Sequence, residues 1–153
     1  MAGLIVVATI AALKKAGVFD ALVSSFTILV KSVGTVVMSA IKSLVAEINL
    51  ASKKAQTKSP KPQKEKHHII PKKKSEAKAA YDVWTGNCKL NINDSRNLVS
   101  ISYNLHKPLH TNAYCAAINS LVVTAYKKNK DRGVINAVIF VKCLLTVASY
   151  NIK

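Results

Sequence analysis

The sequence predicts an α+β fold, a compact ββα unit with flanking helices and an α-helical N-terminal extension. Three observations predict it. Apolar residues recur at the helical period over residues 21–50, and two short apolar segments at residues 67–70 and 97–101 have the length of strands. Residues 104–110 form a helical turn that carries two histidines. Two strands followed by such a turn make up the ββα unit.

The start of the chain is expected to be helical. Residues 3–15 predict a short helix that ends at Gly17, and residues 21–50 predict a longer amphipathic helix with serines and lysines on its polar side. A transmembrane helix over residues 22–41 would bury Lys31 near its middle, which is costly. No basic residue precedes the first apolar run, so no cleavable signal peptide is predicted.

Residues 51–66 are interpreted as a basic linker, because two prolines, polar side chains and repeated lysines do not build an apolar core. The linker separates the extension, residues 1–50, from a domain of residues 67–153. Residues 53–78 contain ten lysines and two glutamates, half of the formal net charge of +16. Such a stretch attracts nucleic acid first and an anionic membrane second, although a solubilising linker has the same composition.

The remaining segments predict short elements and two helices. Residues 75–84 favour a short helix, and residues 86–94 favour a loop rich in asparagine. Thr111 is a candidate N-cap for a helix over residues 112–129, whose last turn is rich in lysine. Residues 133–150 are strongly apolar, and their spacing fits a buried helix slightly better than a strand.

The cysteine pattern predicts neither disulfide bonds nor a zinc site. Cys88, Cys115 and Cys143 are far apart and form no C-x-x-C pair. Their odd number argues against a disulfide framework, and their spacing argues against a structural zinc held by cysteine. Cys115 and Cys143 lie among apolar residues, so both are interpreted as core thiols.

All four histidines of the chain fall on one pattern: His67 and His68 are adjacent, and His106 and His110 are four positions apart. Neighbouring residues of a strand point to opposite faces, so one of the first pair is expected to bind a metal while the other acts beside it as a base. Residues four apart on a helical turn share a face. Three imidazoles leave ligand positions open, which favours a catalytic metal site over a closed structural one.

Three runs of sequence carry a family resemblance. His-His-Ile-Ile-Pro begins at His67, Asn-Ile-Asn-Asp-Ser-Arg-Asn-Leu-Val contains Asn97, and His-Lys-Pro-Leu-His-Thr-Asn-Ala-Tyr begins at His106. In this order they resemble the AHH family of bacterial toxin nucleases, within the HNH (ββα-metal) endonuclease superfamily. The resemblance covers residues 64–127. It departs at Lys66, where members of the family usually have a small residue before the histidine pair.

The resemblance implies a role for each of these residues. His68 would be the general base that deprotonates a water, and Asn97 would tie the second strand to the first and orient His68. One divalent ion, Mg, Zn or Ni, would be bound by His67, His106 and His110.

Further residues near the pattern are candidates for contacts with the substrate and the ligands. The best candidates to neutralise phosphates are the cations Arg96, Lys72, Lys73 and Lys74. Glu65 is a candidate to hydrogen-bond one of the ligand histidines. Because His68 must be neutral to accept a proton, activity should fall at acidic pH.

The resemblance implies metal-dependent hydrolysis of DNA phosphodiester bonds by a bacterial toxin domain that is secreted or delivered into the cytoplasm of a target cell. An acidic immunity protein is the expected partner, since a strongly basic nuclease is blocked most easily by a negatively charged surface. Residues 1–50 are expected to make at most a transient membrane contact.

Three other functions fit the same residues. An RNase would use the same basic groove, because 2′-hydroxyl contacts leave no signature in one sequence. A membrane-active cationic toxin would use residues 1–50 and the lysine stretch. A non-catalytic nucleic-acid-binding protein would hold its metal for structure alone.

Overall fold

The computed structural model describes residues 19–152, so the predicted helix over residues 3–15 lies outside the described part of the chain. In chain order the helices and strands are α1 (Phe19–Val33), α2 (Met38–Gln56), β1 (Lys64–His68), α3 (Lys78–Asp82), β2 (Leu98–Ser102), α4 (Tyr103–Leu109) and α5 (Asn112–Tyr150). Short 3-10 turns occupy Thr35–Val37, Ser75–Ala77 and Ser95–Asn97, and a π turn, Val83–Asn87, follows α3. The fold mixes helices with a small two-stranded sheet, as the predicted α+β class requires.

The segment predicted as one helix over residues 21–50 is two helices, so that prediction is wrong. α1 ends at Val33, and the N–H of Gly34 closes the last turn on the carbonyl oxygen of Val30, 2.8 Å away. Gly34 has a φ of 70°, a conformation that glycine adopts without the clash a Cβ would cause. The apolar spacing continues across this break and therefore does not reveal it.

The segment predicted as a linker, residues 51–66, is also more ordered than its composition suggests. Its first six residues continue α2 to Gln56, because Ala51 and Ala55 prolong the buried stripe of that helix. Its last three residues belong to β1. Within this segment, only residues 57–63 lie outside a helix or strand. The division into an extension, a linker and a nuclease domain stays a prediction, although α1 and α2 share one apolar core with the later elements.

The two strands pair antiparallel, with His67 opposite Val99 and His68 opposite Leu98. The first strand ends at His68, two residues before the end of the predicted strand over residues 67–70. Ile69 and Ile70 follow the strand, and their side chains are fully buried in the core. The second strand lies one residue later than residues 97–101.

α5 is the central helix, against which α1, α2 and β2 pack. It is interrupted at Asn129 (φ −143°) and Lys130 (φ 45°), which divides it close to the predicted boundary between two helices. The helical interpretation of residues 133–150 is confirmed. Thr111 accepts a hydrogen bond from the N–H of Tyr114 at 3.1 Å, so the predicted N-cap is confirmed as well.

Within the described residues, α5 is the one helix with the length and apolarity of a membrane span. Half of its most apolar stretch is buried against the rest of the protein, which is typical of the core helix of a folded domain. The cysteines in this core are free: Cys88 and Cys115 are buried, and Cys143 is half-buried.

Candidate active site

Three histidines from two elements meet at one point. β1 contributes His67, which is 2% exposed, and α4 contributes His106, with His110 at its C-terminal end. Each offers a ring nitrogen, and these three atoms lie within 4.8 Å of one another. The centroid of the His67 ring is 5.4 Å from the centroids of both other rings. The three residues that the resemblance names as metal ligands are therefore neighbours in space.

Glu65 fixes the orientation of His106. Both Glu65 and His67 lie on the face of β1 that meets α4, and the Glu65 carboxylate contacts Nδ1 of His106. A carboxylate is an acceptor, so Nδ1 of His106 carries the hydrogen. The opposite nitrogen, Nε2, lies 2.9 Å from Nε2 of His110. Both Nε2 atoms are thus directed to the centre of the cluster, and a carboxylate behind a ligand imidazole is the usual support of a metal site.

Tyr114 fixes the orientation of His67. The Tyr114 hydroxyl donates to the carbonyl oxygen of Ile69 at 3.5 Å, and its oxygen lies 3.2 Å from Nε2 of His67. Because the single hydroxyl hydrogen is directed at Ile69, Nε2 of His67 is assigned as the N–H that donates to Tyr114. Nδ1 then carries the lone pair, and this atom is buried without a hydrogen-bond partner. A buried nitrogen lone pair beside two other imidazoles fits a divalent ion.

The environment favours neutral rings at this point. Burial, followed by the neighbouring His110, His106 and His68, lowers the pKa of His67 to about 3. Burial also lowers the pKa of His110, with smaller contributions from His106 and Lys74. Metal ions bind the neutral imidazole, and the lowered pKa values of His67 and His110 favour that form of both rings.

His68 lies on the other face of β1 from His67, as strand alternation predicts, and its side chain is half-buried. Its Nε2 lies 3.0 Å from Oδ1 of Asn93. Asn93 is held in turn, because its backbone N–H donates to Oδ1 of Asn91 at 2.8 Å. With Nε2–H donated to Asn93, Nδ1 of His68 is the nitrogen free to accept a proton.

Asn97 is fully buried and connects the two segments that hold His68 and Asn93. Its Oδ1 accepts the N–H of Ile70 at 2.8 Å, and its Nδ2 donates to the carbonyl of Ile92 at 2.9 Å. Among the described residues, no hydrogen bond joins the Asn97 side chain to His68 itself. Its hydrogen bonds go instead to the backbone two residues beyond His68 and to the residue before Asn93.

The predicted phosphate-binding cations fall into two groups. Lys72, Lys73 and Lys74 are exposed in the loop after β1. The Arg96 guanidinium makes two hydrogen bonds of 2.8 Å to the carboxylate of Asp94, and this arginine lowers the pKa of Asp94 to about 2. Arg96 is thus already paired within the turn that precedes β2, which makes it a weaker candidate for a phosphate contact than the three exposed lysines.

Two residues of the site escape prediction from the sequence. Tyr114 is typical of a packing residue by its surroundings, and because the chain leaves the helical conformation at Thr111, its spacing from His110 gives no signal of a shared site. Asn93 sits in a loop with several other asparagines and carries no distinguishing signal. Its contact with His68, 25 positions earlier in the chain, depends on tertiary structure.

One of the comparisons with known proteins found a match. A family model named AHH, described as a nuclease family of the HNH/ENDO VII superfamily with conserved AHH, matches residues 48–139. Searches of curated proteins and of solved structures found no match. The matched segment contains α2 from Ile48 onward, both strands, and every histidine of the chain. On this match the chain belongs to the AHH family of nucleases.

Proposed function

We propose that this protein is a metal-dependent endonuclease that hydrolyses DNA phosphodiester bonds on a ββα-metal site. The observation that carries the proposal is the convergence of three imidazoles, His67, His106 and His110, at the end of the strand that also bears His68. The net charge of +16 supports a polyanionic substrate. A divalent ion held by the three rings would supply Lewis-acid stabilisation of negative charge on phosphate oxygens.

The other residues of the site prepare one proton transfer. Nδ1 of His68 accepts a proton from the attacking water, and the hydrogen bond from Nε2 to Asn93 selects the tautomer in which Nδ1 is unprotonated. Asn97 binds the backbone of Ile70, two residues after His68, and of Ile92, the residue before Asn93. Glu65 and Tyr114 keep His106 and His67 in the orientation that directs a lone pair to the ion.

A plasmid-nicking assay tests this function. Purified protein is incubated with supercoiled plasmid and Mg²⁺, Zn²⁺ or Ni²⁺, each with and without EDTA, and with His68→Ala as the variant. We expect nicking that EDTA abolishes, and a loss of about 10²–10⁴-fold in rate for His68→Ala because a positioned base is removed. Nicking that persists in EDTA and in His68→Ala would contradict the proposal. Faster cleavage of an RNA substrate under the same conditions would identify RNA, and not DNA, as the substrate.

We propose further that the nuclease acts as a toxin in the cytoplasm of a target bacterium and is neutralised by an acidic immunity protein. Charge complementarity supports such a partner, because a basic protein with a net charge of +16 attracts an acidic protein rapidly. Induced expression inside bacteria is expected to arrest growth, whereas His68→Ala is not. Growth arrest by His68→Ala, together with leakage of dye from anionic vesicles exposed to the full chain, would favour a membrane-active toxin acting through residues 1–50.

A further inference from the structure

Side chains along β1 point alternately to its two faces, and the two faces carry different residues. Glu65 and His67 lie on the face that meets α4, where Glu65 contacts His106 and His67 is buried. Lys64, Lys66 and His68 lie on the opposite face, and both lysines are exposed. One face of a five-residue strand therefore builds the metal-ligand cluster, and the other is a row of two lysines that ends at His68.

The partner strand adds nothing acidic to this exposed face. Residues directly opposite each other in an antiparallel pair share a face, and Lys66 lies opposite Ser100 while His68 lies opposite Leu98. Among the described residues neither Lys64 nor Lys66 forms an ion pair. Their charges are uncompensated, in contrast to Arg96, whose carboxylate partner is Asp94.

The segment that enters β1 is held against α4. Asn104 donates from Nδ2 to the carbonyl of Ser59 at 2.9 Å, and the N–H of Tyr103 donates to the carbonyl of Gln63 at 3.0 Å. Lys61 lies over the ring of Tyr103, with Nζ 4.5 Å from the ring centroid. A stretch with the composition of a flexible linker is thus fixed at both ends, so the lysines of β1 are positioned before any ligand binds.

From these observations we propose that the exposed face of β1, formed by Lys64, Lys66 and His68, is the surface that binds the phosphodiester backbone next to the bond to be cut. Side chains on one face of a strand recur about every 7 Å, so the two ammonium groups form a short track that leads to His68. The proposal rests on the proposed nuclease function and names the residues that hold its substrate. Phosphate contacts of this kind position a nucleic acid without reading its sequence.

The test measures binding without cleavage. Fluorescence anisotropy of a labelled DNA duplex is followed in EDTA at several NaCl concentrations for the full chain, for Lys64→Gln/Lys66→Gln, and for the matched control Lys31→Gln/Lys42→Gln. The control removes the same charge from exposed positions on α1 and α2. The slope of log K against log salt falls by about 0.9 for each phosphate that is no longer neutralised, so the β1 variant should show a slope smaller by about 2 while the control changes little.

The outcomes separate this surface from the nuclease function. Equal weakening of DNA binding in both variants, or unchanged binding in the β1 variant, would overturn the proposed binding surface. If the full chain still nicks a plasmid in that case, the nuclease function stands. If the full chain binds DNA through β1 but never cuts it, the surface stands and the nuclease function fails. Circular dichroism of both variants checks that the exposed substitutions leave the fold intact.

Discussion

At the scale of single residues, the hydroxyl of Tyr114 is predicted to affect metal affinity through the orientation of His67. We expect Tyr114→Phe to weaken binding of Zn²⁺ or Ni²⁺ by about 10–100-fold, because Nε2 of His67 loses its acceptor and the ring is no longer fixed with its lone pair on Nδ1. Isothermal titration calorimetry measures the affinity, and ¹⁵N NMR of the imidazole measures the tautomer.

The matched control is Tyr126→Phe, which removes a hydroxyl from a half-buried tyrosine whose ring lies under Lys130. An unchanged metal affinity in Tyr114→Phe, or an equal weakening in Tyr126→Phe, would show that the hydroxyl of Tyr114 does not orient His67.

The residue scale is also where prediction from the sequence reaches furthest. His67, His106 and His110 are brought together because a strand and a helical turn each impose a fixed side-chain direction, and both directions can be predicted from spacing. The supports behind the rings are harder to predict. Tyr114 lies 47 positions from His67, and a contact over that distance follows only from how α5 packs on the sheet.

At the scale of elements, the turn before β2 depends on Asp94. This carboxylate accepts the N–H of Arg96 at 2.9 Å and pairs with its guanidinium, so it caps the 3-10 turn that carries Asn97. We expect Asp94→Ala to lower the free energy of unfolding by about 1 kcal/mol at pH 7, the usual effect of removing a cap.

The effect of Asp94→Ala should depend on pH with a defined sign. Arg96 lowers the pKa of Asp94 in the folded state to about 2, so the stabilisation is complete above the ordinary pKa of 3.8 and disappears as the pH falls through about 2. Urea unfolding of both proteins between about pH 2 and pH 7 checks this. A difference in stability that stays constant over the whole range would assign the effect to packing instead of charge.

Gly133 lies where the second half of α5 comes close to the end of the first half and to α1. A Cβ at this position would lie 2.5 Å from the carbonyl oxygen of Ala125, a backbone atom that has no room to move, and 3.1 Å from Val33 of α1. We expect Gly133→Ala to lower the free energy of unfolding by about 1–3 kcal/mol, as overpacking of a core does.

Gly86→Ala is the matched control for Gly133→Ala, because a Cβ there meets no atom within 4 Å and the residue does not have a positive φ. Urea denaturation of both variants gives the comparison. Two variants of equal stability would show that the halves of α5 separate at little cost.

The element bounds mark the limit of what composition and periodicity predict. The apolar spacing continues through the break at Gly34, so only the glycine itself indicates that break, and the end of α2 is hidden because lysines surround the buried Ala51 and Ala55. The bend in α5 is predictable, because Lys127, Lys128 and Lys130 interrupt the apolar pattern there.

At the scale of the whole molecule, the site links β1 to α4, and a ligand that bridges the two should stabilise the fold. With metal at about 100 times its dissociation constant, we expect about 2.7 kcal/mol of added stability, seen as a rise in Tm. His106→Ala should abolish this rise. A wild-type Tm that is insensitive to Zn²⁺ and Ni²⁺ would mean that the three rings do not share an ion.

The hydrogen bond between the last helix and the sheet has a practical consequence for anyone who trims the gene to the portion recognised as AHH. Ser149 accepts the N–H of Ser102 at 2.6 Å, and Leu144, Leu145 and Val147 fill the interior beside it. All four lie beyond residue 139, where the recognised portion stops. A polypeptide truncated there would expose an apolar surface and leave the backbone N–H of Ser102 without its acceptor. We expect such a truncated protein to aggregate.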